Sequence, residues 1–240
     1  MEIWGHRGSS SIRPENTMAA FWHSLECGAD GIELDAHLSK DGQIIVKHHE
    51  LLERCTNGKG LVKDYTLREL KRFDAGAWFS EEFTGERIPS LEEVFDAFRD
   101  KNFFINVELK TDWFTYKGIE QKYVDLVNEY GMRDKVIVSS FNHETIQNIK
   151  QIDSSMKCGN LLRQRVLNLE KYTKHCGVQA LHPIMNIITP HMLQKCDELG
   201  LLVNVWFPFS DESWFLNHRD VYKQQGFNAI ITNYPQEYIN

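Results

Sequence analysis

The sequence predicts an α/β fold, a (β/α)8 TIM barrel formed by a single domain over residues 1–240. Three observations lead to this prediction. Short apolar segments alternate with amphipathic helical stretches, eight such units can be counted, and 240 residues is close to the roughly 250 that this barrel takes. A doubly wound open sheet is the alternative, because a strand count made from sequence alone is error-prone.

The eight strands are assigned from apolar segments, and several of the helices from their start signals. One helix should begin at Asn16-Thr17 and another at Thr189-Pro190, while Ser90 to Glu93 forms a capping box before an apolar run. The predicted strands span residues 2–6, 31–36, 103–109, 136–141, 157–162, 179–182, 202–207 and 229–233.

Residues 37–89 depart from this regular alternation. They contain a predicted hairpin, a glycine-rich loop at residues 57–60, and a short helix that begins with a second capping box, Thr66 to Glu69. We expect an insertion after the second strand that lies over the C-terminal face of the barrel, where βα loops form active sites.

Composition excludes several classes of function. The net charge of −7 provides no bulk attraction to nucleic acid or to anionic lipid, so we expect a small-molecule partner, no nucleic acid and no stable membrane association. The beginning of the chain lacks the pattern of a signal peptide. Five widely spaced cysteines without a CxxC pair indicate reduced thiols, and we therefore expect a cytoplasmic location.

Carboxylates occupy one face of two predicted strands. Alternate side chains of a strand share a face, so Glu33 and Asp35 should face the barrel axis while their apolar neighbours face the helices. The third strand repeats the pattern with Glu108 and Lys110. The C-terminal ends of the strands should therefore bring these side chains to one region.

Two histidines are expected in the same region. The first strand ends with His6 and Arg7. Only about six residues separate the second strand from the next apolar run, too few for a parallel crossover, so residues 43–48 should fold back antiparallel. A turn at residues 40–43 would set position 35 opposite position 48 and place His48 beside Asp35.

The chemistry of these groups indicates a site for a phosphate ester. Two like charges 4 Å apart repel by about 4 kcal/mol at an effective dielectric constant of ~20, so the carboxylates need raised pKa values or a bound cation. An all-oxygen set suits Mg²⁺ or Ca²⁺ rather than Zn²⁺. Histidines exchange protons near neutral pH, and an Arg/Lys pair can neutralise a phosphate.

These residues resemble the signature of the glycerophosphodiester phosphodiesterase family. The signature appears as "GHRG" at His6 and Arg7, "IELD" at Glu33 and Asp35, and "IIVKHHE" at His48. Further family-like segments follow in order along nearly the whole chain: "RPENTMAAF", "SKDGQIIV", "LLERCTNGKG", "RIPSLEEVF", "INVELK", "IVSSF", "VNVWF" and "AIITNYP".

The resemblance implies roles for seven residues. Glu33, Asp35 and Glu108 would bind one divalent cation, Mg²⁺ or Ca²⁺, with Mn²⁺ also possible. His6 and His48 would be the acid–base pair, and Arg7 and Lys110 would neutralise the phosphate. Trp206, from its own chemistry, is predicted to contact the substrate as a wall against the glycerol carbons. Alternative interpretations are core histidines for His6 and His48, a rim lysine for Lys110, and barrel packing for Trp206.

The sequence departs from the family pattern in four places. His49 and Asn233 each stand where an aspartate is usual, Cys55 stands for a threonine, and "WFPFSDES" replaces a more polar stretch. None of these changes alters the implied ligands, but the last can alter the substrate pocket.

The family acts on glycerophosphodiesters and releases sn-glycerol 3-phosphate and an alcohol such as choline or ethanolamine. One alternative function is that of a lysophospholipase D or phospholipid cyclase, for which Trp78, Phe79, Phe207 and Phe209 would line an apolar mouth. A second is a catalytically inactive barrel that binds phosphodiesters. The complete set of acid, base and cationic residues argues against the second.

Overall fold

Eight parallel strands form a closed ring in the computed structural model, which describes residues 1–207, 212, 216–218 and 225–239. Ring neighbours follow chain order, and the last strand pairs with the first, so the ring has no open edge. The strands are β1 (Glu2–His6), β2 (Gly31–Leu38), β3 (Ile44–Val46), β4 (Phe104–Leu109), β5 (Val136–Ser140), β6 (Cys158–Leu162), β7 (Ala180–Pro183), β8 (Leu202–Trp206) and β9 (Ala229–Thr232), of which β3 lies outside the ring. The predicted TIM barrel is confirmed, and the open-sheet alternative is wrong.

Helices connect the ring strands, and the predicted start signals cap them. Thr17, Thr66, Ser90 and Thr189 each accept a hydrogen bond from the first turn of their helix, and both predicted capping boxes are present. The helices in the described residues are α1 (Met18–Glu26), α2 (Leu67–Leu70), α3 (Leu91–Phe98), α4 (Ile119–Glu129), α5 (His143–Ile152), α6 (Leu169–Cys176), α7 (Pro190–Glu198) and α8 (Pro235–Ile239). None of them has the length and apolar character that crossing a bilayer requires.

The main core lies between the ring and the helices. Ile32, Leu34 and Ala36 of β2 belong to one buried cluster with Phe21 of α1 and Phe95 of α3, as the alternation predicts. A second cluster joins side chains from β1, β5, β7 and β9, which can meet only inside the ring. The two faces of each ring strand are therefore both buried.

A buried histidine lies inside the barrel among polar side chains. His182 of β7 lies between the side-chain amides of Asn106, at 3.4 Å, and Asn204, at 3.0 Å. Gly159 of β6 leaves room for the imidazole, because a Cβ there would lie 2.4 Å from its Nε2 atom. The side chain is completely buried, so His182 packs the interior of the ring.

The predicted register of the β2–β3 hairpin is wrong by one residue. Ala36 pairs with Val46, which sets Asp35 opposite Lys47, and the Lys47 N–H donates to the Asp35 carbonyl at 2.9 Å. The loop has three residues instead of two, because Ser39 pairs with Gln43 across it and Gly42 adopts a φ of 75°. His48 therefore follows the last paired residue of β3.

Strand β3 and the residues after it form a small core of their own. The side chains that meet in it are Ile45, Leu52, Val62, Leu70, Ala75 and Ile88. The glycine-rich loop is a turn in this layer: the Leu52 N–H donates to the Gly60 carbonyl at 2.8 Å, and Gly60 has a φ of 91°. The fold thus contains the expected hairpin, loop and short helix after the second strand.

Candidate active site

The predicted site residues surround one cavity of about 100 Å³, here called the small cavity, at the C-terminal ends of the strands. Asp35 does not line it but contacts two residues that do, with Arg7 Nε at 3.3 Å and Lys110 Nζ at 3.7 Å from its carboxylate. Seven of the eight predicted residues line the small cavity: His6, Arg7, Glu33, His48, Glu108, Lys110 and Trp206.

Three buried carboxylates, here called the carboxylate triad, lie together beside this cavity. Oxygen atoms of Glu33, Asp35 and Glu108 all lie within 4.8 Å of one another. The strand register explains the proximity, because Asp35 is the pairing neighbour of Glu108 across β2 and β4. Inward-facing positions 33 and 35 on one strand then bring the third carboxylate into the same cluster.

Two buried cations partly neutralise the triad. Lys110 Nζ donates to Glu108 Oε1 at 2.8 Å. Arg7 Nε lies 3.3 Å from Asp35, and its Nη1 donates to Glu15 at 3.1 Å. Arg7 has a φ of 57°, a left-handed conformation that costs free energy in a residue other than glycine and that is frequent at functional sites.

Asp35 has one carboxylate oxygen without a hydrogen-bond partner. Its Oδ2 accepts a hydrogen bond from Asn16 Nδ2 at 2.9 Å, while its buried Oδ1 has none. Buried polar atoms are nearly always hydrogen-bonded, and the Lys110 ammonium, 3.7 Å from Oδ1, is too distant for a hydrogen bond, so this oxygen beside two further carboxylates fits a cation. The all-oxygen donor set is the kind that hard divalent ions take.

Burial and mutual repulsion shift the pKa values of the triad. Burial, with a contribution from Asp35, raises the pKa of Glu108 to about 7 even though Lys110 acts in the opposite direction. The pKa of Glu33 lies well above its ordinary value for the same reasons. Burial also acts to raise the pKa of Asp35, but the charges of Arg7 and Lys110 and the hydrogen bond from Asn16 hold it below its ordinary value.

Both histidines of the small cavity are neutral. Burial, helped by Arg7, lowers the pKa of His6 to about 3 and that of His48 to about 2. His6 Nδ1 is hydrogen-bonded to Asn233 Oδ1 at 2.8 Å, and its Nε2 lies 3.8 Å from Glu33 Oε2. Arg54 Nη1 donates to His48 Nδ1 at 3.4 Å.

His37 acts on His48 through the backbone. Its Nε2 is hydrogen-bonded to the His48 carbonyl at 3.1 Å, and its Nδ1 to the Tyr116 hydroxyl at 3.0 Å. His37 is completely buried and lines neither of the two cavities described here. It therefore positions the segment that carries His48.

The sequence analysis did not identify four residues that line the small cavity: Phe141, Leu161, Arg163 and Ile231. Phe141, Leu161 and Arg163 continue the inward-facing alternation of β5 and β6, so the pattern that located Glu33 could have located them. The guanidinium of Arg163 lies over the ring of Phe141, 4.2 Å from its centroid. Trp206 contacts Phe141 edge to face and donates from Nε1 to the His182 carbonyl at 3.0 Å.

A second cavity of about 740 Å³, here called the large cavity, adjoins the small one. The two share His48, Lys110, Phe141, Leu161 and Arg163. Acidic and aromatic side chains from other loops, Glu50, Asp112 and Trp113, also line the large cavity. The side chain of Trp113 is 83% exposed.

Of the four aromatic residues that the lysophospholipase alternative would place at an apolar mouth, only Phe207 lines one of these two cavities within the described part of the chain. The rings of Trp78 and Phe79 meet edge to face, with centroids 5.6 Å apart, and line neither of these cavities. Phe207 is buried and lines the small cavity. Phe209 lies outside the described residues, as do residues 208–211 and 213 of the segment that departs from the family pattern.

Comparison with known proteins agrees with this geometry. The model of the glycerophosphoryl diester phosphodiesterase family matches residues 6–237. A glycerophosphodiester phosphodiesterase of Caldanaerobacter subterraneus subsp. tengcongensis is 40% identical, over 99% of this chain and 96% of the relative. A human lysophospholipase D is 32% identical, over 96% of this chain and 82% of its own length.

A solved structure shares the fold over nearly its whole length. The phosphodiesterase of Oleispira antarctica, in complex with the product sn-glycerol 3-phosphate, superposes with a TM-score of 0.86 at 28% identity, and the match covers 99% of this chain and 95% of that one. With the closed barrel and the family match over nearly all its residues, the chain belongs to the glycerophosphodiester phosphodiesterase family of phosphoric diester hydrolases.

Proposed function

We propose that this chain hydrolyses glycerophosphodiesters, such as glycerophosphocholine and glycerophosphoethanolamine, to sn-glycerol 3-phosphate and the free alcohol. One observation carries the proposal: the carboxylate triad, two neutral histidines and two buried cations converge on one small cavity. The product bound by the Oleispira antarctica relative supports the same substrate class.

Glu33, Asp35 and Glu108 would hold one divalent cation, Mg²⁺ or Ca²⁺, with Mn²⁺ as a further possibility. Their shared proximity and the unpartnered Asp35 Oδ1 support this assignment. When bound, such an ion polarises a phosphate oxygen and neutralises charge in the transition state. A cation bound there would favour the ionised forms of Glu33 and Glu108, whose pKa values burial raises.

Arg7 and Lys110 stabilise the negative charge that develops on the phosphate. Both side chains are buried, and electrostatic contacts are stronger where water is excluded. Glu108 holds the Lys110 ammonium, and Glu15 holds the Arg7 guanidinium, so neither cation has to be ordered during the reaction. Preorganised charge of this kind is often the largest contribution to catalysis.

His6 and His48 transfer the protons. Both line the small cavity and both are neutral, so each can accept a proton or, in the appropriate tautomer, donate one. The attacking oxygen belongs to water or to the glycerol 2-hydroxyl. ³¹P NMR distinguishes the two routes, because only the second produces a cyclic phosphate intermediate.

The two cavities divide the substrate between them. Phe141, Leu161 and Trp206 provide an apolar wall for the glycerol carbons in the small cavity. The large cavity receives the leaving alcohol, and the carboxylates of Asp112 and Glu50 suit a cationic head group there. The cytoplasmic location inferred from the five cysteines stays a prediction.

A coupled assay for glycerol 3-phosphate tests the proposal. Chelated wild-type protein should release little product from glycerophosphocholine, and Mg²⁺, Ca²⁺ or Mn²⁺ should restore release. His48→Ala should lose most turnover, whereas His175→Ala, a substitution of an exposed histidine on α6, should keep it. Equal turnover in His48→Ala and wild type would exclude the assigned chemistry.

Lysophospholipase D activity is a second candidate with an observation in its favour. Trp113 and Leu167, exposed by 83% and 93%, extend from loops at the large cavity and could contact an acyl chain. The human relative is a lysophospholipase D by name. If lysophosphatidylcholine is a substrate, Trp113→Ala should raise its KM more than that of glycerophosphocholine, because only the lysophospholipid has an acyl chain to contact Trp113.

A further inference from the structure

Glu212 is a buried carboxylate that the proposed reaction does not use. Its side chain comes from the connection between β8 and β9, and the residue is only 2% exposed. Its Oε1 accepts a hydrogen bond from the Asn233 backbone N–H at 2.9 Å and another from the Thr232 hydroxyl, and its Oε2 accepts one from Asn233 Nδ2. All three donors lie at the end of β9, next to His6.

The carboxylate determines which way the Asn233 amide points. An ionised carboxylate only accepts hydrogen bonds, so the NH₂ group of Asn233 must face Glu212. Asn233 Oδ1 then faces His6 Nδ1 at 2.8 Å and the Ser10 hydroxyl at 2.7 Å, whose one proton is shared with the His6 carbonyl at 2.8 Å. A reversed amide would set its carbonyl against the carboxylate and leave both oxygens without a donor.

The orientation of the amide in turn determines the tautomer of His6. Because Asn233 Oδ1 is an acceptor, His6 Nδ1 must carry the proton, and its Nε2 must carry the lone pair. Nε2 is the nitrogen nearer the carboxylate triad, 3.8 Å from Glu33 Oε2. We infer that Glu212, acting through Asn233, holds His6 in the Nδ1–H tautomer and thereby makes His6 the base of the reaction.

His48 has the opposite arrangement. Arg54 can only donate, so its contact with His48 Nδ1 at 3.4 Å requires a lone pair there and a proton on Nε2. The two histidines of the small cavity therefore have complementary tautomers. His6 accepts the proton of the attacking oxygen, and His48 serves the leaving alcohol.

Glu212→Gln should invert this arrangement. The introduced amide would use its single oxygen for the Asn233 backbone N–H and the Thr232 hydroxyl, and its NH₂ group would occupy the position of Oε2. Asn233 would then reverse, its NH₂ group would donate to His6 Nδ1, and the proton of His6 would move to Nε2. Asn233→Asp in the same protein should restore the original tautomer, because an aspartate accepts from both sides.

The inference rests on the proposed function for the role of His6 but not for its tautomer. We would therefore record ¹⁵N spectra of histidine-labelled protein at pH 8.5, where Glu212 is ionised although burial raises its pKa to about 7. A His6→Asn variant assigns the signals. Protonated Nδ1 is expected in wild type and in Glu212→Gln/Asn233→Asp, and protonated Nε2 in Glu212→Gln.

Kinetics of the same proteins complete the test. With glycerophosphocholine, kcat of Glu212→Gln should fall by about 10²- to 10⁴-fold with little change in KM, the range that the loss of a correctly placed base produces. The double variant should recover most of this loss. Glu237→Gln, a change to an exposed carboxylate of α8, should equal wild type in both measurements.

Two results would overturn the inference: a wild-type tautomer in Glu212→Gln, or a double variant that reacts as slowly as Glu212→Gln. If Glu212→Gln does not fold, Asn233→Ala tests the same contact. The Asn233→Ala protein should show both His6 tautomers. A pure Nδ1–H population in this variant would contradict the role of Asn233 in selecting the tautomer. Absence of wild-type turnover would instead refute the proposed function and leave the spectra interpretable.

Discussion

A divalent ion should raise the thermal stability of this protein, and the loss of one carboxylate of the triad should abolish the effect. The three oxygens lie within 4.8 Å, so each ionised pair repels by at least about 3.5 kcal/mol at an effective dielectric constant of ~20. Lys110 and Arg7 offset part of this repulsion. A cation among the three oxygens would offset the rest, and it would bind only the folded chain.

The expected size of the effect follows from linkage. An ion at 100 times its Kd stabilises the folded state by about 2.7 kcal/mol. At about 2.1 cal/mol/K per residue, unfolding a chain of 240 residues has an entropy of roughly 0.5 kcal/mol/K. The unfolding temperature should therefore rise by about 5 °C.

Circular dichroism melts of metal-free protein measure this shift. Wild type, Glu108→Gln and Asp112→Asn would each be melted with and without Mg²⁺, Ca²⁺ or Mn²⁺. Glu108→Gln retains the size of the side chain and an oxygen for Lys110 but removes one anionic ligand, so its shift should disappear. Asp112 is a nearby carboxylate of the large cavity outside the triad, and Asp112→Asn should retain the shift. No shift in wild type with all three ions, or an equal shift in Glu108→Gln, would refute the reasoning.

Three further predictions concern catalysis, pH and packing. His6→Ala and His48→Ala should each lose about 10²- to 10⁴-fold in kcat yet keep the ion-induced rise in unfolding temperature, and a variant that loses both would contradict the assigned roles. Burial lowers the pKa of His182 to about 3. Below about pH 6.5 this side chain is protonated in the unfolded chain but not in the folded chain, so the free energy of unfolding decreases as the pH falls. Denaturant titrations of His182→Gln between pH 4 and 6 should therefore show a slope smaller by about 1.4 kcal/mol per pH unit than wild type, and identical slopes would contradict a neutral buried imidazole. Gly31→Ala should destabilise the barrel by about 1–3 kcal/mol in the same titrations, because its Cβ would lie 2.5 Å from the Phe104 carbonyl oxygen, and an unchanged midpoint would show that β2 and β4 can separate freely.

Local patterns were sufficient to predict the ring. All eight ring strands lie within two residues of their predicted bounds at each end, because strands buried on both faces produce continuous apolar segments. The capping boxes at Thr66 and Ser90 located two helices because their hydrogen bonds join residues only three apart. Strand alternation was likewise sufficient to place Glu33 and Asp35 on the inner face.

The hairpin shows where a local pattern is insufficient. "SKDGQ" is compatible with a two-residue and a three-residue loop, and the two differ by one residue in register. The structure has the three-residue loop, so Lys47, not His48, lies opposite Asp35. His48 still lines the small cavity because it follows the end of β3, where its side chain is free of strand alternation.

The contacts around His6 could not be derived from local sequence. His6 and Asn233 are 227 positions apart and meet only because β9 closes the ring against β1. Glu212 and Asn233 are 21 positions apart, and no local sequence pattern marks the two as hydrogen-bond partners. Long-range hydrogen bonds of this kind follow from ring closure, which is a property of the whole chain.

The arrangement of charge explains how an acidic chain can accept an anionic substrate. When all three carboxylates of the triad are ionised, they outnumber the two buried cations, Arg7 and Lys110, and leave one negative charge at the centre. A divalent ion would convert this to one positive charge, which matches the single negative charge of a phosphodiester. The net charge of −7 belongs mainly to exposed side chains, whose field is screened beyond about 8 Å at physiological salt. The central charges are buried and lie close to the cavity. They, rather than the net charge of the chain, therefore determine which ions the cavity accepts.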